Sequence, residues 1–351
     1  MLKYQKIKTN LTKDILKMAP GETLPTRKQL SDQYHSARAT IDKAISELTK
    51  EGLLISKPGS GTRVSIIPKN NQVQNWGIVV PDITEEIYSG IVRGAEDYAE
   101  KIKANIILCN SDNNLLKQDM YLRRLQDSRV SGIILVPVIY SDGQEVNYKF
   151  YDELIRSKIP IVFCNRSMDG IDVPLIASND FYGAYIATKH LLRQGYKKPA
   201  YLAREKYKTS IDRCQGFLSA LLEKNVPINR DAILIKLSKE KSSEKIKQLL
   251  SSDSVDSIFC FDDILAKECY EVAAELDINI PYDLGIIGYN NTSVCETLNP
   301  PLSSVSFKNV EIGSKAAEIL FKLIKTGKHS EFETYLFQPT VEVRGSTSKG
   351  N

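Results

Sequence analysis

Along the stretch from Ala37 to Lys50, the apolar residues Ile41, Ala44, Ile45 and Leu48 recur at helical spacing, and Arg38, Thr40, Asp42 and Lys43 lie off that stripe. A helix there buries the stripe and presents the other four outward. A guanidinium at a helix start can offer a bidentate fork to the acceptor edge of guanine, and a threonine can reach a phosphate or a thymine methyl. Asp42 on the same side would repel a phosphate. Upstream, Lys28 adds a cation. Downstream, Gly61 and Thr62 sit where a glycine would let backbone approach a sugar-phosphate wall with no side chain in the way. A second group of polar residues follows apolar runs much later in the chain: Asn165-Arg166, Asp262-Asp263 and Asn290-Asn291. Amides, carboxylates and guanidinium groups together can satisfy the many hydroxyls of a polyol, which an apolar pocket cannot. Taken singly, a solvated helix face or a strand-end cap is the alternative role for each.

The elements that would position the first group are short. Tyr4, Ile7, Leu11, Ile15 and Met18 mark a scaffold helix. Thr26 can cap a second helix carrying Leu30 and Tyr34 on one face, His35-Ser36 breaks it, and the Arg38 helix runs to Glu51-Gly52. Leu53–Ser56 and Thr62–Ser65 then read as two strands around the turn Lys57-Pro58-Gly59-Ser60-Gly61, giving a winged helix-turn-helix. Residues 1–70 hold thirteen Lys and Arg against six Asp and Glu, whereas the whole chain is only +4. Positive charge is therefore gathered at the head, as phosphate binding requires.

These residues resemble the GntR family of bacterial transcription regulators. The resemblance is carried by Leu24-Pro25-Thr26, by Arg38-Ala39-Thr40-Ile41, by Leu48 with Glu51-Gly52-Leu53, and by Gly59-Ser60-Gly61-Thr62. It implies double-stranded operator DNA as the partner, with contacts from Lys28, Arg38, Thr40, Lys43, Gly61 and Thr62. Three positions depart from the family pattern: Ala37 replaces a serine, Asp42 an arginine and Lys28 an arginine. The head is therefore expected to read an operator sequence of its own.

With 351 residues, 42% of them hydrophobic and 26% charged, the chain can bury more than one core. No apolar run is long enough for a signal peptide or a membrane span, so a cytoplasmic protein is expected. The cysteines at 109, 164, 214, 260, 269 and 295 form no C-x-x-C pair and mostly lie in apolar runs, which points to reduced core thiols rather than disulfides or metal ligands. Neither cofactor nor metal is expected. There is no phosphate loop, no H-E-x-x-H and no G-x-S-x-G, and the three histidines, His35, His190 and His329, suggest no general base. The reading is of a non-enzyme.

Residues 67–75 form a polar linker between a head at 1–66 and a body at 76–345. In the body, apolar runs such as Trp76–Val80, Gly132–Val136, Ser257–Cys260 and Leu284–Gly288 alternate with helical stretches, the pattern of parallel βαβ units, numerous enough for two doubly wound lobes. Ligands then sit beyond the carboxyl ends of strands, where the second polar group falls. The body resembles the LacI family and the periplasmic sugar-binding proteins. Trp76–Ile83 with Arg93-Gly94-Ala95-Glu96, Cys109–Asp112, Arg129–Ile134, Asn179-Asp180-Phe181 with Gly183-Ala184, Arg213 with Gly216-Phe217, Phe259–Asp263, Gly285–Asn291 and Pro300–Val305 carry that likeness. It implies ligand contacts from Asn165, Arg166, Arg213, Asp262 and Asn290, with aromatic walls from Tyr88 and Phe261. Asn290 stands where an aspartate is usual.

A GntR-like head on a LacI-like body is the architecture of AraR-type sugar-responsive repressors. The expectation is an α/β chain with an N-terminal winged helix-turn-helix and a two-lobed, doubly wound, periplasmic-binding-protein-like domain. It would act as a homodimeric repressor released by a small carbohydrate. An activator, or a sensor of a nucleoside or other metabolite, is the alternative within this architecture; a transport binding protein shares only the body.

Overall fold

The computed structural model describes residues 3–15, 18–19, 21–57, 61–65, 74–138, 146–204, 208–238, 241–327 and 333–348. Two compact units are present, Met1–Gln74 and Asn75–Asn351. Most of the expected linker, the wing tip Pro58-Gly59-Ser60 and His329 lie outside the described residues. Asn75, expected in the linker, is already the first residue of a strand.

In the first unit, α1 (Lys3–Ile15), α2 (Arg27–Gln33) and α3 (Arg38–Lys50) precede an antiparallel pair, β1 (Leu54–Lys57) and β2 (Gly61–Val64). α2 starts at a capping box: the Thr26 hydroxyl accepts from the Gln29 N–H, and the Gln29 side chain accepts from the Thr26 N–H at 2.8 Å. The apolar stripe of α3 packs with Ile7, Leu11 and Ile15 of α1, Leu30 of α2, and Leu54 and Val64 of the wing in one core. Lys8 ties α1 to the end of α3 through Glu47 at 3.0 Å and Glu51 at 2.6 Å.

The second unit is two lobes, each a six-stranded sheet covered on both faces. The chain builds most of the first lobe in order: β3 (Asn75–Val80), α4 (Glu86–Lys101), β4 (Asn105–Asn110), α5 (Leu115–Asp127), β5 (Gly132–Leu135), α6 (Tyr148–Arg156), β6 (Ile161–Cys164) and β7 (Leu175–Ser178). It then crosses at Asn179 into the second lobe: α7 (Asp180–Arg193), β8 (Pro199–Ala203), α8 (Lys208–Glu223), β9 (Ile233–Ile235), α9 (Ser242–Leu250), β10 (Ser257–Cys260), α10 (Asp263–Glu275), β11 (Gly285–Asn290), α11 (Val294–Thr297) and β12 (Ser303–Ser306). It returns to the first lobe through α12 (Asn309–Thr326) and β13 (Thr334–Phe337), and crosses a third time to β14 (Thr340–Glu342). The sheet orders are β13-β7-β6-β5-β3-β4 and β14-β12-β11-β10-β8-β9.

Coverage on both faces explains why the strands read as unbroken apolar runs. In β3, Trp76, Ile78 and Val80 join the core under α4 and α12, while Val79 points to the opposite core with Leu122, Leu154 and Phe163. The first sheet is wholly parallel. In the second, β14 runs antiparallel to β12. The two terminal strands, adjacent in sequence with no helix between them, thus belong to different sheets instead of forming a βαβ unit. Asn179, where the first crossing occurs, donates its backbone N–H to Phe337 O of the third at 2.9 Å, so the crossings lie side by side.

Candidate functional site

On the head, Arg38 begins α3 with its side chain 80% exposed, and Lys28 and Lys43 are exposed as well, while Thr40 is half-buried. Ala37 at the N-cap position supplies no side-chain cap to α3. Asp42 does not stand alone. Its Oδ1 accepts from Arg27 Nε at 3.2 Å, and its Oδ2 lies 3.8 Å from Arg38 Nε. The carboxylate holds two guanidinium groups at the start of the outward face, a more specific role than the phosphate repulsion read from the sequence. Lys43 lies over the Tyr4 ring, 4.3 Å from its centroid, and so is drawn towards α1.

Thr62 corrects the sequence reading. It is 3% exposed; its hydroxyl accepts from Arg27 Nη1 at 2.6 Å and shares a hydrogen bond with Ser56 Oγ at 2.9 Å. The side chain is spent inside the hairpin, and the outward group of that pair is Arg27, which spacing alone did not single out. Gly61 has φ +77, a backbone conformation that favours glycine whether or not DNA comes near.

In the second unit, all seven expected ligand-contact residues line one cavity of about 420 Å³ between the lobes. Tyr88 comes from the first turn of α4, and Asn165-Arg166 follow β6, with Asn165 at φ 67 turning the chain. From the other lobe come Arg213 of α8, Phe261-Asp262 after β10, and Asn290 at the end of β11. Arg166 donates to the Tyr88 hydroxyl, and to Pro137 O at 3.4 Å. Arg213 is 4% exposed and fully engaged. It pairs with Asp180 Oδ1 through Nε at 2.8 Å and Nη2 at 2.7 Å, donates to Phe261 O, and lies over the rings of Tyr289 and Phe261 at 3.5 and 4.4 Å.

The adjacent acids diverge. Asp262 caps α10 by accepting from the Leu265 N–H at 2.7 Å and faces the cavity, with burial pushing its carboxyl up. Asp263 is 1% exposed and is consumed by Thr292 N–H and Oγ1 at 2.8 and 2.9 Å and by Ser304 Oγ at 2.6 Å. Asn290 Oδ1 is buried with no hydrogen-bond partner among the described residues. Glu85, missed by the sequence reading, stands at the N-cap of α4 on the cavity wall; burial raises its carboxyl, opposed by Arg166. Its neighbour Glu86 spans the cavity mouth, accepting from the Ser293 N–H at 3.0 Å and from the Ser293 hydroxyl. His190, away from the cavity, meets Thr347 Oγ1 at 2.8 Å, a packing role.

Residues 3–64 match the family described as bacterial regulatory proteins, gntR family, and residues 188–347 match the periplasmic binding protein-like domain. Among curated relatives, the arabinose metabolism transcriptional repressor of Geobacillus stearothermophilus is 27% identical over 99% of this chain and 98% of its own. The HTH-type transcriptional repressor PurR of Aliivibrio salmonicida is 30% identical over 96% of this chain and 98% of its own. Among solved structures, a LacI family transcriptional regulator from Enterococcus faecium with bound ribose superposes with a TM-score of 0.65 at 28% identity, covering 79% of this chain and all of that one. With an outward Arg38 on a basic winged helix and polar side chains converging between two lobes, the chain belongs to the bacterial transcriptional repressors that join a GntR-type DNA-binding head to a LacI-like, periplasmic-binding-protein-type body.

Proposed function

We propose that this repressor controls sugar-utilisation genes, works in the cytoplasm as a homodimer, and leaves its operator when a small neutral carbohydrate enters the interlobe cavity. The observation that carries the reading is the charge of the cavity wall. Glu85, Glu86 and Asp262 face Arg166 and Arg213 there, and both guanidinium groups are already turned onto protein acceptors. A phosphorylated or carboxylated effector meets a net negative wall on which Arg213 is paired with Asp180 and Arg166 is turned onto Tyr88 and Pro137. A polyol instead donates hydroxyls to Glu85, Asp262 and the Asn290 carbonyl, and can lay an apolar ring face on Phe261. The relative that represses arabinose metabolism and the neighbour that holds ribose support the same class.

Operator contacts fall to Arg38, Thr40, Lys28 and Lys43, with Arg27 added by its place beside Asp42. The homodimer is supported by an apolar edge on the first lobe. β4 ends its sheet, and Ile107, Leu108, Leu116 and Met120 on β4 and α5 are 39, 43, 80 and 36% exposed. Effector binding weakens DNA binding to the extent that the sugar prefers one lobe arrangement over the other.

The test is fluorescence anisotropy on a duplex selected by the protein from a random pool, titrated with L-arabinose, D-ribose, D-xylose, ribose 5-phosphate and adenosine. Release by a free pentose with no response to the phosphate is expected. Release by ribose 5-phosphate or adenosine alone would replace the sugar with another effector class.

A further inference from the structure

A second, larger cavity of about 840 Å³ adjoins the first, and Asn165, Arg166 and Thr209 line both. Small-molecule pockets run from roughly 300 to 1,000 Å³, so the cleft already suits one sugar ring, and its neighbour offers room for more than one. Both lobes wall it. Arg166 to Asp172 come from the first, and Lys208, Thr209 and Asp212 of α8 from the second. Lys208 Nζ donates across to Ser167 Oγ at 3.4 Å.

Its chemistry is that of a carbohydrate subsite. With Asp180 neutralised by Arg213, Asp169, Asp172 and Asp212 still outnumber Arg166 and Lys208, so the wall is net negative and poorly suited to a phosphate. Gln215 and Thr334 add neutral polar groups, while Met168, Ile171 and Leu336 give the apolar surface on which a sugar face can rest. Burial raises the Asp212 carboxyl, with Asp180 adding to the shift, which is the condition of an acceptor short of donors.

We propose that the effector site is bipartite: one sugar ring sits between Tyr88 and Phe261, and a second, uncharged glycosyl unit occupies the adjoining cavity, so that a short oligosaccharide is bound more tightly than its monosaccharide. This rests on the sugar reading above. Arg166 and Thr209, at the junction, would flank the glycosidic link.

Calorimetry on the full-length protein with matched pairs, L-arabinose against α-1,5-arabinobiose, D-xylose against β-1,4-xylobiose and D-glucose against maltose, tests it. At least one disaccharide is expected to bind tenfold or more tightly than its monomer. Leu336→Trp, which narrows the second cavity from a position 43% exposed, should remove that advantage while leaving the monosaccharide Kd within twofold, and Gln215→Ala should erode it in the same direction. Monosaccharides binding as tightly as their dimers overturns the bipartite site and leaves the sugar reading standing. An advantage untouched by both variants also overturns it. Failure of every saccharide to bind overturns both readings together.

Discussion

Arg213 has two roles that confound any simple mutational test of the cleft. It lines the cavity, and it is the buried partner of Asp180, at 4 and 7% exposure. Removing one member of such a pair strands the other charge and costs about 3–5 kcal/mol, a large share of a typical stability of about 5–15 kcal/mol. Arg213→Met should therefore lower the urea midpoint of the body sharply, whatever it does to effector response; an unchanged midpoint contradicts the buried-pair account. Asp262 and Glu85 probe the site more cleanly, through pH. Burial raises both carboxyls, against Arg166 at Glu85 and against the Leu265 N–H, Arg204 and Arg213 at Asp262. A folded value above the unfolded one means that the fold binds protons more tightly than the unfolded chain. Their contribution to stability is thus full below the ordinary carboxylate range and lost as pH rises through the raised values. Hydroxyl donors from a sugar favour the ionised forms, so effector binding should release protons and tighten as pH climbs through the raised carboxyl values. Titrations across the acid range in two buffers of different ionisation enthalpy read the proton count, and net uptake would contradict the assignment. On the head, Arg38→Ala should weaken operator binding by about 1–3 kcal/mol and blur preference at one base pair; a uniform loss across all sequences would make Arg38 a phosphate contact instead.

Between elements, α4 and α12, which cover one face of the first sheet, meet backbone to backbone. A Cβ on Gly94 would lie 1.9 Å from Val310 O, and one on Gly313 1.9 Å from Ile91 O, so each glycine admits the other helix's backbone. Alanine gains about 1 kcal/mol of helix propensity over glycine, but here it must push two helices apart, and overpacking typically costs about 1–3 kcal/mol. Gly94→Ala should lower the melting temperature in spite of propensity; a rise would mean that the helices separate freely. Such packing is not readable from one sequence, where Gly94 was only part of a motif. What was readable follows from the same physics. β3 and β10 are buried on both faces, so their apolar runs could not be mistaken, and the strand-end rule, together with the family likeness, brought seven residues into one cavity. α6 and α9 are hard to read from spacing because each offers little more than two turns. The first has Phe150, Tyr151 and Leu154 as its apolar set, and the second has Ile246, Leu249 and Leu250 inside a run of serines and lysines. Thr62 was misassigned because its inward direction depends on Arg27 and Ser56, partners 35 and 6 residues away. Glu85 carried no signal beyond an acid before a helix.

For the molecule as a whole, the question is how a head with a small core and a handful of cations holds a promoter. One winged helix contacts few base edges, and its phosphate contacts weaken steeply with salt. Joining two heads makes the second contact effectively intramolecular, a gain of about 10²–10⁴ in affinity without any new interaction. In the homodimer proposed above, the β4 edge and the outer face of α5 would supply apolar surface for that joining, and Leu116, at 80% exposure, contributes nothing visible to its own core. A charge there is tolerated by an isolated chain and is costly only against a partner copy. Leu116→Lys should leave the thermal transition near its original temperature, shift the sedimenting species to a monomer, and reduce operator affinity by about 10²–10⁴, with effector binding to each cleft retained. Sedimentation and anisotropy on the same preparation separate the outcomes. A variant that stays dimeric moves the interface elsewhere on the body, and a monomer that holds its operator as tightly as the parent protein removes the need for paired heads.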